Sequence, residues 1–206
     1  MTGRTYRSPR RDQAAAETRA AILDAAVELF ATRGYASTTV AQIAAAAAVA
    51  PNTVYLSFGG KAQLVVALAQ RGADDPLIGS SIDDIDAMTD GREIIRRLAS
   101  GTGATRRSQQ RAITVMMDNL TADPMIAEAA EHATTMVRKR IRHVAAHMTA
   151  VGALREGITT ARAAAILWFY FGFAAWRELR AVGWSWKEIE HWLAEQAITA
   201  LVAHID

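Results

Sequence analysis

Cysteine is absent from the 206 residues. Without it neither a disulfide framework nor thiolate metal chemistry is available, and a reducing compartment is compatible. Proline is scarce, with 4 residues, and aromatic side chains make up only 7% of the chain. No stretch alternates polar and apolar residues well enough to predict a strand. Long hydrophobic runs are missing too. The longest, Ala163 to Trp176, is bounded by Arg162 and Arg177 and falls short of the ~20 residues that span a bilayer. No apolar h-region stands near the first methionine, so no secretory signal is read and a cytoplasmic location is expected. Enzyme signatures are also wanting. There is no G-x-S-x-G, no P-loop and no H-E-x-x-H, and Gly101-Thr102-Gly103 lacks the strand and spacing of a dinucleotide loop. The expectation is a protein that is not an enzyme and uses no cofactor.

What is present is a globular composition, 51% hydrophobic and 21% charged, in a chain long enough for one good core or two modest domains. The net charge is +2, unevenly placed. Through Arg71 there are eight basic and four acidic side chains, a balance of +4, which leaves −2 for the remainder. That asymmetry favours a front end that meets a polyanion. Residues 1–11 (MTGRTYRSPRR) hold four arginines and no apolar periodicity, which predicts a disordered basic arm, either solvated or reaching phosphates.

The most informative stretch is Thr38 to Lys61. Thr39 with Gln42 three residues later has capping-box spacing, and Val40, Ile43 and Ala44 give the helix that follows one buried side. Ala48-Val49-Ala50 fits a corner, and Pro51 suits the first turn of a second helix, Pro51 to Phe58. Val54 and Phe58 turn inward there and leave Asn52, Thr53, Tyr55, Leu56 and Ser57 largely free. A short helix with polar tips propped across another is the shape that enters a DNA major groove. Thr38, Thr39, Tyr55 and Lys61 suit phosphate oxygens. Asn52 and Thr53 suit base edges, and the methyls of Thr53 and Leu56 suit a thymine methyl. Gln42 serves as a cap, a DNA contact, or both. Arginine is absent from the second helix, so bidentate guanine recognition is not expected there.

These residues resemble the DNA-binding domain of the tetracycline-repressor (TetR) family of bacterial transcription regulators. The resemblance runs from Thr18 to Leu64. It rests on Ile22-Leu23-x-Ala25-Ala26-x-x-Leu29-Phe30, Gly34-Tyr35, Thr38-Thr39-Val40, Ile43-Ala44 and Thr53-Val54-Tyr55-x-x-Phe58, followed by Lys61 and Leu64. It implies base-facing roles for Pro51, Asn52, Thr53 and Leu56, and phosphate roles for Thr39, Tyr55 and Lys61. Three positions depart from the family pattern: Ala48 stands for a glycine, Ala50 for a capping serine and Gly60 for a polar cap. The first asks a corner to form without glycine's freedom at positive φ, and the second gives up a cap worth about 1 kcal/mol.

The fold expected is all-α. A helix-turn-helix domain with its connecting helix 4 occupies residues 12–71, with helix 1 from about Gln13, behind Asp12, to Arg33. Residues 72–206 form a helical ligand-binding and dimerisation domain. Gly72 to Thr89 reads as an irregular boundary, Asp90 to Leu98 as a short helix broken at Gly101-Thr102-Gly103, and Asp123-Pro124 as the start of a long helix ending near Gly152. Thr160 to Val182 reads as one aromatic-rich helix and Ser185-x-x-Glu188 as the cap of the last. The Thr160–Val182 helix is apolar nearly all round, so it asks for a second copy to cover it. The resemblance likewise implies a homodimer through the last two long helices. Phe169, Phe173, Trp176, Trp192, Ala197 and Leu201 are the candidates for that interface.

For a small apolar ligand the candidates are Met116, Met117, Met136, Trp168 and Phe171, each equally suited to the core, with Asn119, His132, Arg140 and His143 as polar groups to orient it. His143 and His147 have the spacing for a shared metal but no third ligand, so no metal site is expected. The reading is a ligand-responsive DNA-binding regulator, released from a double-stranded operator by a small apolar molecule. The alternative is a ligand-independent DNA-binding or architectural protein.

Overall fold

The structure, a computed structural model, describes residues 9–73 and 76–203. Every regular element among them is an α-helix. The helices are α1 (Pro9–Arg33), α2 (Val40–Ala46), α3 (Pro51–Phe58), α4 (Lys61–Ala73), α5 (Pro76–Asp86), α6 (Gly91–Ser108), α7 (Gln110–Asp118), α8 (Pro124–Ala150), α9 (Thr160–Phe171), α10 (Phe173–Ala181) and α11 (Trp186–Leu201). No single one is long and apolar enough to cross a membrane.

Two compact units emerge. The first comprises residues 1–71 and 111–130, the second residues 72–110 and 131–206. The sequence predicts a single cut after Arg71, whereas α7 and the first turns of α8 belong with the N-terminal unit. Their side chains explain this: Arg111 ion-pairs with Glu28 of α1, and Gln63 of α4 approaches the Met125 sulfur at 3.5 Å. In this unit α1 contributes the buried stripe Ile22, Leu23, Ala26 and Phe30, and Val54, Leu64, Leu68, Met116 and Ile126 are buried as well. The basic arm lies mostly outside the described residues. Its last residues, Pro9 to Arg11, are already helical, so α1 begins earlier than the expected Gln13.

The second unit has its own core. Ile94, Ile95 and Leu98 of α6, Val144 and Met148 of α8, Leu167 and Phe171 of α9, Trp176 of α10 and Leu193 of α11 are buried together. Two expectations fail here for one reason. The 72–89 segment contains α5, whose Ile78, Ile82 and Ile85 recur at helical spacing, with Ile85 fully buried. α6 runs straight through Gly101-Thr102-Gly103. Each interior glycine costs only about 1 kcal/mol, and these two let other side chains come close. A Cβ on Gly101 would overlap the Ser81 hydroxyl of α5, and one on Gly103 would lie 3.2 Å from the Trp176 ring.

The single helix expected over Thr160–Val182 is two. Gly172 breaks it, extended at φ −67° and ψ −173°, and its N–H caps the Trp168 carbonyl at 2.8 Å. Pro124 opens α8 and the Ser185–Glu188 capping box opens α11, both as the sequence predicts.

Candidate nucleic-acid interface and ligand pocket

The head is built from caps and turns. Thr39 Oγ1 accepts from the Gln42 N–H at 3.2 Å while Gln42 Oε1 accepts from the Thr39 N–H at 2.9 Å, which completes the capping box of α2. The chain leaves α2 through Ala48, a non-glycine residue at φ +55°. Side chains of L-residues rarely adopt that region, and here it is forced, because the Val49 N–H must return to the Ala44 carbonyl at 2.9 Å. The corner bends α3 by 105° from α2, within the 90–120° of helix-turn-helix units. Ala50 caps α3 with backbone only.

α3 turns Val54 into the core and leaves Pro51, Asn52, Tyr55 and Leu56 facing outward, Tyr55 at 52% and Leu56 at 81% exposure. An exposed leucine beside an exposed tyrosine on an eight-residue helix is poor for solubility alone and good for meeting base edges and sugars. Thr53 is half-buried beside them. Arg19 of α1 holds α3 from behind. Its guanidinium stands 4.1 Å from the centre of the Phe58 ring and donates to the Ser57 carbonyl. The sequence reading did not assign Arg19 a role.

Two of the residues assigned to phosphates are otherwise engaged. Thr38 is fully buried, and its hydroxyl donates to the carbonyls of Leu29 (3.2 Å) and Gly34 (2.8 Å). It fastens the α1–α2 turn and has no face for a phosphate. Lys61 donates to the Tyr35 carbonyl at 2.8 Å and lies 4.5 Å over the Tyr35 ring. Burial, and then the nearby Asp123 carboxylate, pushes the Tyr35 phenol above its ordinary value.

The ligand candidates divide. Met116, Met117 and Asn119 belong to the first unit, where Met116 is buried and Asn119 spends its amide on the Val115 carbonyl at 2.8 Å. His132 is exposed, and His143, also exposed, is bonded to Asp86 at 2.7 Å. Neither faces a cavity. His147 bonds the Met88 carbonyl instead, at 2.8 Å, so the two histidines hold different partners, and no cluster of three metal-ligating side chains occurs among the described residues.

A pocket does open within the second unit, between α5, α6, α8 and α9, with about 80 Å³ of free space. Of the residues predicted, Arg140 and Phe171 line it; Met136 does not, and Trp168 borders a different and larger groove, of about 400 Å³. Ile78, Leu98, Val137 and Ile141 supply apolar wall to the pocket, Ser81, Thr102 and Thr105 supply hydroxyls, and Arg106 is the side chain that the sequence reading missed. Arg106 is buried, its Nε has no hydrogen-bond partner, and its guanidinium stacks 4.0 Å over the Phe173 ring. Burial first, and then Arg140, brings its pKa down to about 10, and burial lowers Arg140 as well. The signal was there: Arg106 continues the 95, 98, 99, 102 face of α6, provided the helix crosses the glycines.

Three of the six proposed interface residues are interior. Trp176, Ala197 and Leu201 are buried in their own protomer. Trp176 lies 6.2 Å from Trp186, ring to ring, and the Ile189, Leu193, Ala197, Leu201 stripe of α11 faces the core of its own unit. Phe169 and Trp192 remain exposed, and Phe173 is half-buried, around the groove beside α9.

Residues 22–68 match the family model for bacterial regulatory proteins of the tetR family. That match covers less than a quarter of the chain and falls on α1 through α4. No curated protein matches the chain. The likeness in fold extends well beyond those residues: the chain is similar to NalD, the secondary repressor of the MexAB-OprM multidrug efflux pump in Pseudomonas aeruginosa. The likeness has 24% identity and a TM-score of 0.71, over 94% of this chain and 100% of that one. It is also similar to SmeT in its complex with triclosan, at 19% identity and a TM-score of 0.74, over 90% of this chain and 92% of that one. A third likeness is to the transcriptional regulator FadR from Bacillus subtilis, in complex with stearoyl-CoA. There the identity is 18% and the TM-score 0.71, over 90% of this chain and 99% of that one. The residues that match the family model include the buried stripe of α1, the capping box and the α2–α3 corner.

Proposed function

We propose that the protein is a homodimeric transcription repressor of the cytoplasm that leaves its double-stranded operator when a small, largely apolar molecule enters the pocket of the second unit. One observation carries the reading. α3 buries Val54 and turns Asn52, Tyr55 and Leu56 outward on a corner fixed by a capping box. In a dimer two such helices must enter successive major grooves about 34–36 Å apart. Pro51, Asn52, Thr53 and Leu56 meet bases, and Thr39 and Tyr55 meet phosphates.

Ligand release is supported by the pocket itself and by relatives of the same fold solved with triclosan and with stearoyl-CoA. A ligand acts on DNA binding only through its different affinities for the arrangements that fit and misfit the operator. A 99:1 reversal requires about 5.5 kcal/mol of that difference. An isolated structural DNA-binding protein has no use for a buried arginine at a cavity, which favours the ligand-responsive reading over the architectural one.

The test is selection of duplexes from a random pool by the purified chain, then titration of the selected site at several salt concentrations. A two-fold symmetric site with salt-dependent binding supports the reading. Recovery of random sequences would leave only non-specific binding.

A further inference from the structure

We propose that the pocket between α5, α6, α8 and α9 selects a compact organic carboxylate, a short aliphatic or monocyclic aromatic acid, with Arg106 and Arg140 as its counter-charges. This rests on the ligand-responsive reading above and names the class of ligand. Arg106 is buried and makes no hydrogen bond or ion pair among the described residues, and its Nε is wholly shielded from water. Arg140, half-buried, lines the same cavity and has no ion pair there either.

A buried cation normally has a carboxylate beside it, because an unpaired charge in a poorly polar site is costly. No aspartate or glutamate lines this cavity. The acids near it are committed elsewhere, Asp84 to Arg97 at 2.8 Å and Asp86 to His143 at 2.7 Å. The face of Phe173 supplies a partial substitute for one side of the Arg106 guanidinium. Its edge, the part that forks onto a carboxylate, is left without a partner. The two arginines also repel one another, which adds to the effect of burial in lowering the Arg106 pKa. A bound anion removes the lack of a partner and the repulsion together.

The rest of the wall sets the body of the ligand. Ile78, Leu98, Val137 and Phe171 are apolar, and Ser81, also in the wall, is buried. The free space of about 80 Å³ favours a compact acid. The site therefore reads a charged head and a short greasy body, in contrast to a cavity that takes any apolar molecule.

The experiment uses the full chain and defined probes. Benzoate and hexanoate are titrated calorimetrically against their neutral counterparts benzamide and hexanamide, and the same four are added to the operator complex. Expected are binding and operator release by the carboxylates, with the amides at least tenfold weaker. Arg106→Met and Arg140→Met should each weaken the carboxylates tenfold or more, while Arg106→Lys retains part of the affinity. Arg140 is half-exposed, so its variant keeps the test alive if the Arg106 variant fails to fold, and unfolding curves on each variant identify that case. Equal binding of acid and amide, or full carboxylate affinity in a folded Arg140→Met protein, would overturn the proposal. If a neutral molecule such as triclosan releases the operator while the acids do nothing, the charge assignment falls and the regulator stands. If no operator is selected at all, the regulator reading falls whatever the acids do.

Discussion

The Lys61 ammonium donates to the Tyr35 carbonyl at 2.8 Å and sits 4.5 Å above the centre of the same residue's ring. Tyr35 opens the turn after α1 and Lys61 begins α4, so one side chain ties the helices on either side of the reading head. A lysine at the first position of a helix has no favourable dipole interaction there; its value lies in this tie.

Replacing Lys61 with methionine tests the tie. The hydrogen bond from a charged donor and the ring contact together predict a loss of about 1–2 kcal/mol, read as a lower urea midpoint. The slope of log affinity for operator against log salt should stay the same. A fall of about 0.9 would return Lys61 to a phosphate.

The α2–α3 corner is improvable. Ala48 sits at φ +55°, and Ala50 caps α3 without a side-chain hydrogen bond. Ala48→Gly relieves a left-handed alanine, and Ala50→Ser adds an acceptor for the first turn. Each should stabilise the chain by about 0.5–1 kcal/mol, raising the thermal midpoint without changing the preferred operator. No gain from either would mean that the corner is already relaxed by its neighbours.

Arg106 should make stability depend on alkaline pH. Its folded-state pKa is brought down to about 10, well below the ordinary value of an arginine. Between those values the unfolded chain holds a proton that the folded chain has released, so stability rises with pH across that window and the penalty is complete below it. Arg106→Met should therefore stabilise the unliganded protein near neutrality by about 1–3 kcal/mol, less what the Phe173 contact contributes. That advantage should shrink when urea midpoints of both proteins are compared at pH 7 and above 10. A constant gap would place the effect in packing.

The contrast between what could and could not be read from the sequence follows from where each signal lives. Local chemistry was legible. Thr39 with Gln42, Ser185 with Glu188 and Pro124 each fix a helix start within four residues, and the structure has all three. Tertiary override was not. Gly101 and Gly103 look like breaks until Ser81 and Trp176 are seen to fill the room they leave. Gly172, read as one residue in an apolar run, is a genuine break. The candidate site shows the same division. The outward face of α3 followed from period and Val54, but Thr38 looked available because its burial depends on how the turn after α1 folds back, and one of its carbonyl partners lies nine residues earlier. Arg106 was missed for the complementary reason: its burial depends on α5, α8 and α9 together.

Base reading by α3 separates from folding through paired variants. Asn52→Ala and Leu56→Ala remove exposed atoms, so unfolding midpoints should move by less than about 0.5 kcal/mol. Operator affinity should fall by about 1–3 kcal/mol for the asparagine, with relaxed preference at one base pair. Thr38→Val should do the reverse, costing stability through the lost hydroxyl hydrogen bond and leaving the order of operator preferences intact. Equal specificity in the Asn52 and wild-type proteins would move base reading off this residue.

The proposed pairing of two copies is assigned to the surface that α9 and α11 leave uncovered. Phe169 is 71% exposed and Trp192 41% exposed, beside a groove bordered by Trp168 and Phe173. An isolated exposed phenylalanine needs no explanation, but aromatic residues grouped around one apolar groove mark an interface. About a two-fold axis each residue is buried twice, so Phe169→Glu removes two aromatic contacts and places two carboxylates in an apolar seam. The dimer should weaken by at least ~100-fold in sedimentation, with operator affinity falling alongside, while far-ultraviolet dichroism stays unchanged. Trp176→Ala is the opposite case. Its ring is buried in its own protomer, so the loss should be about 3–5 kcal/mol of folding stability. An intact Phe169→Glu dimer would move the interface to another face of the second unit.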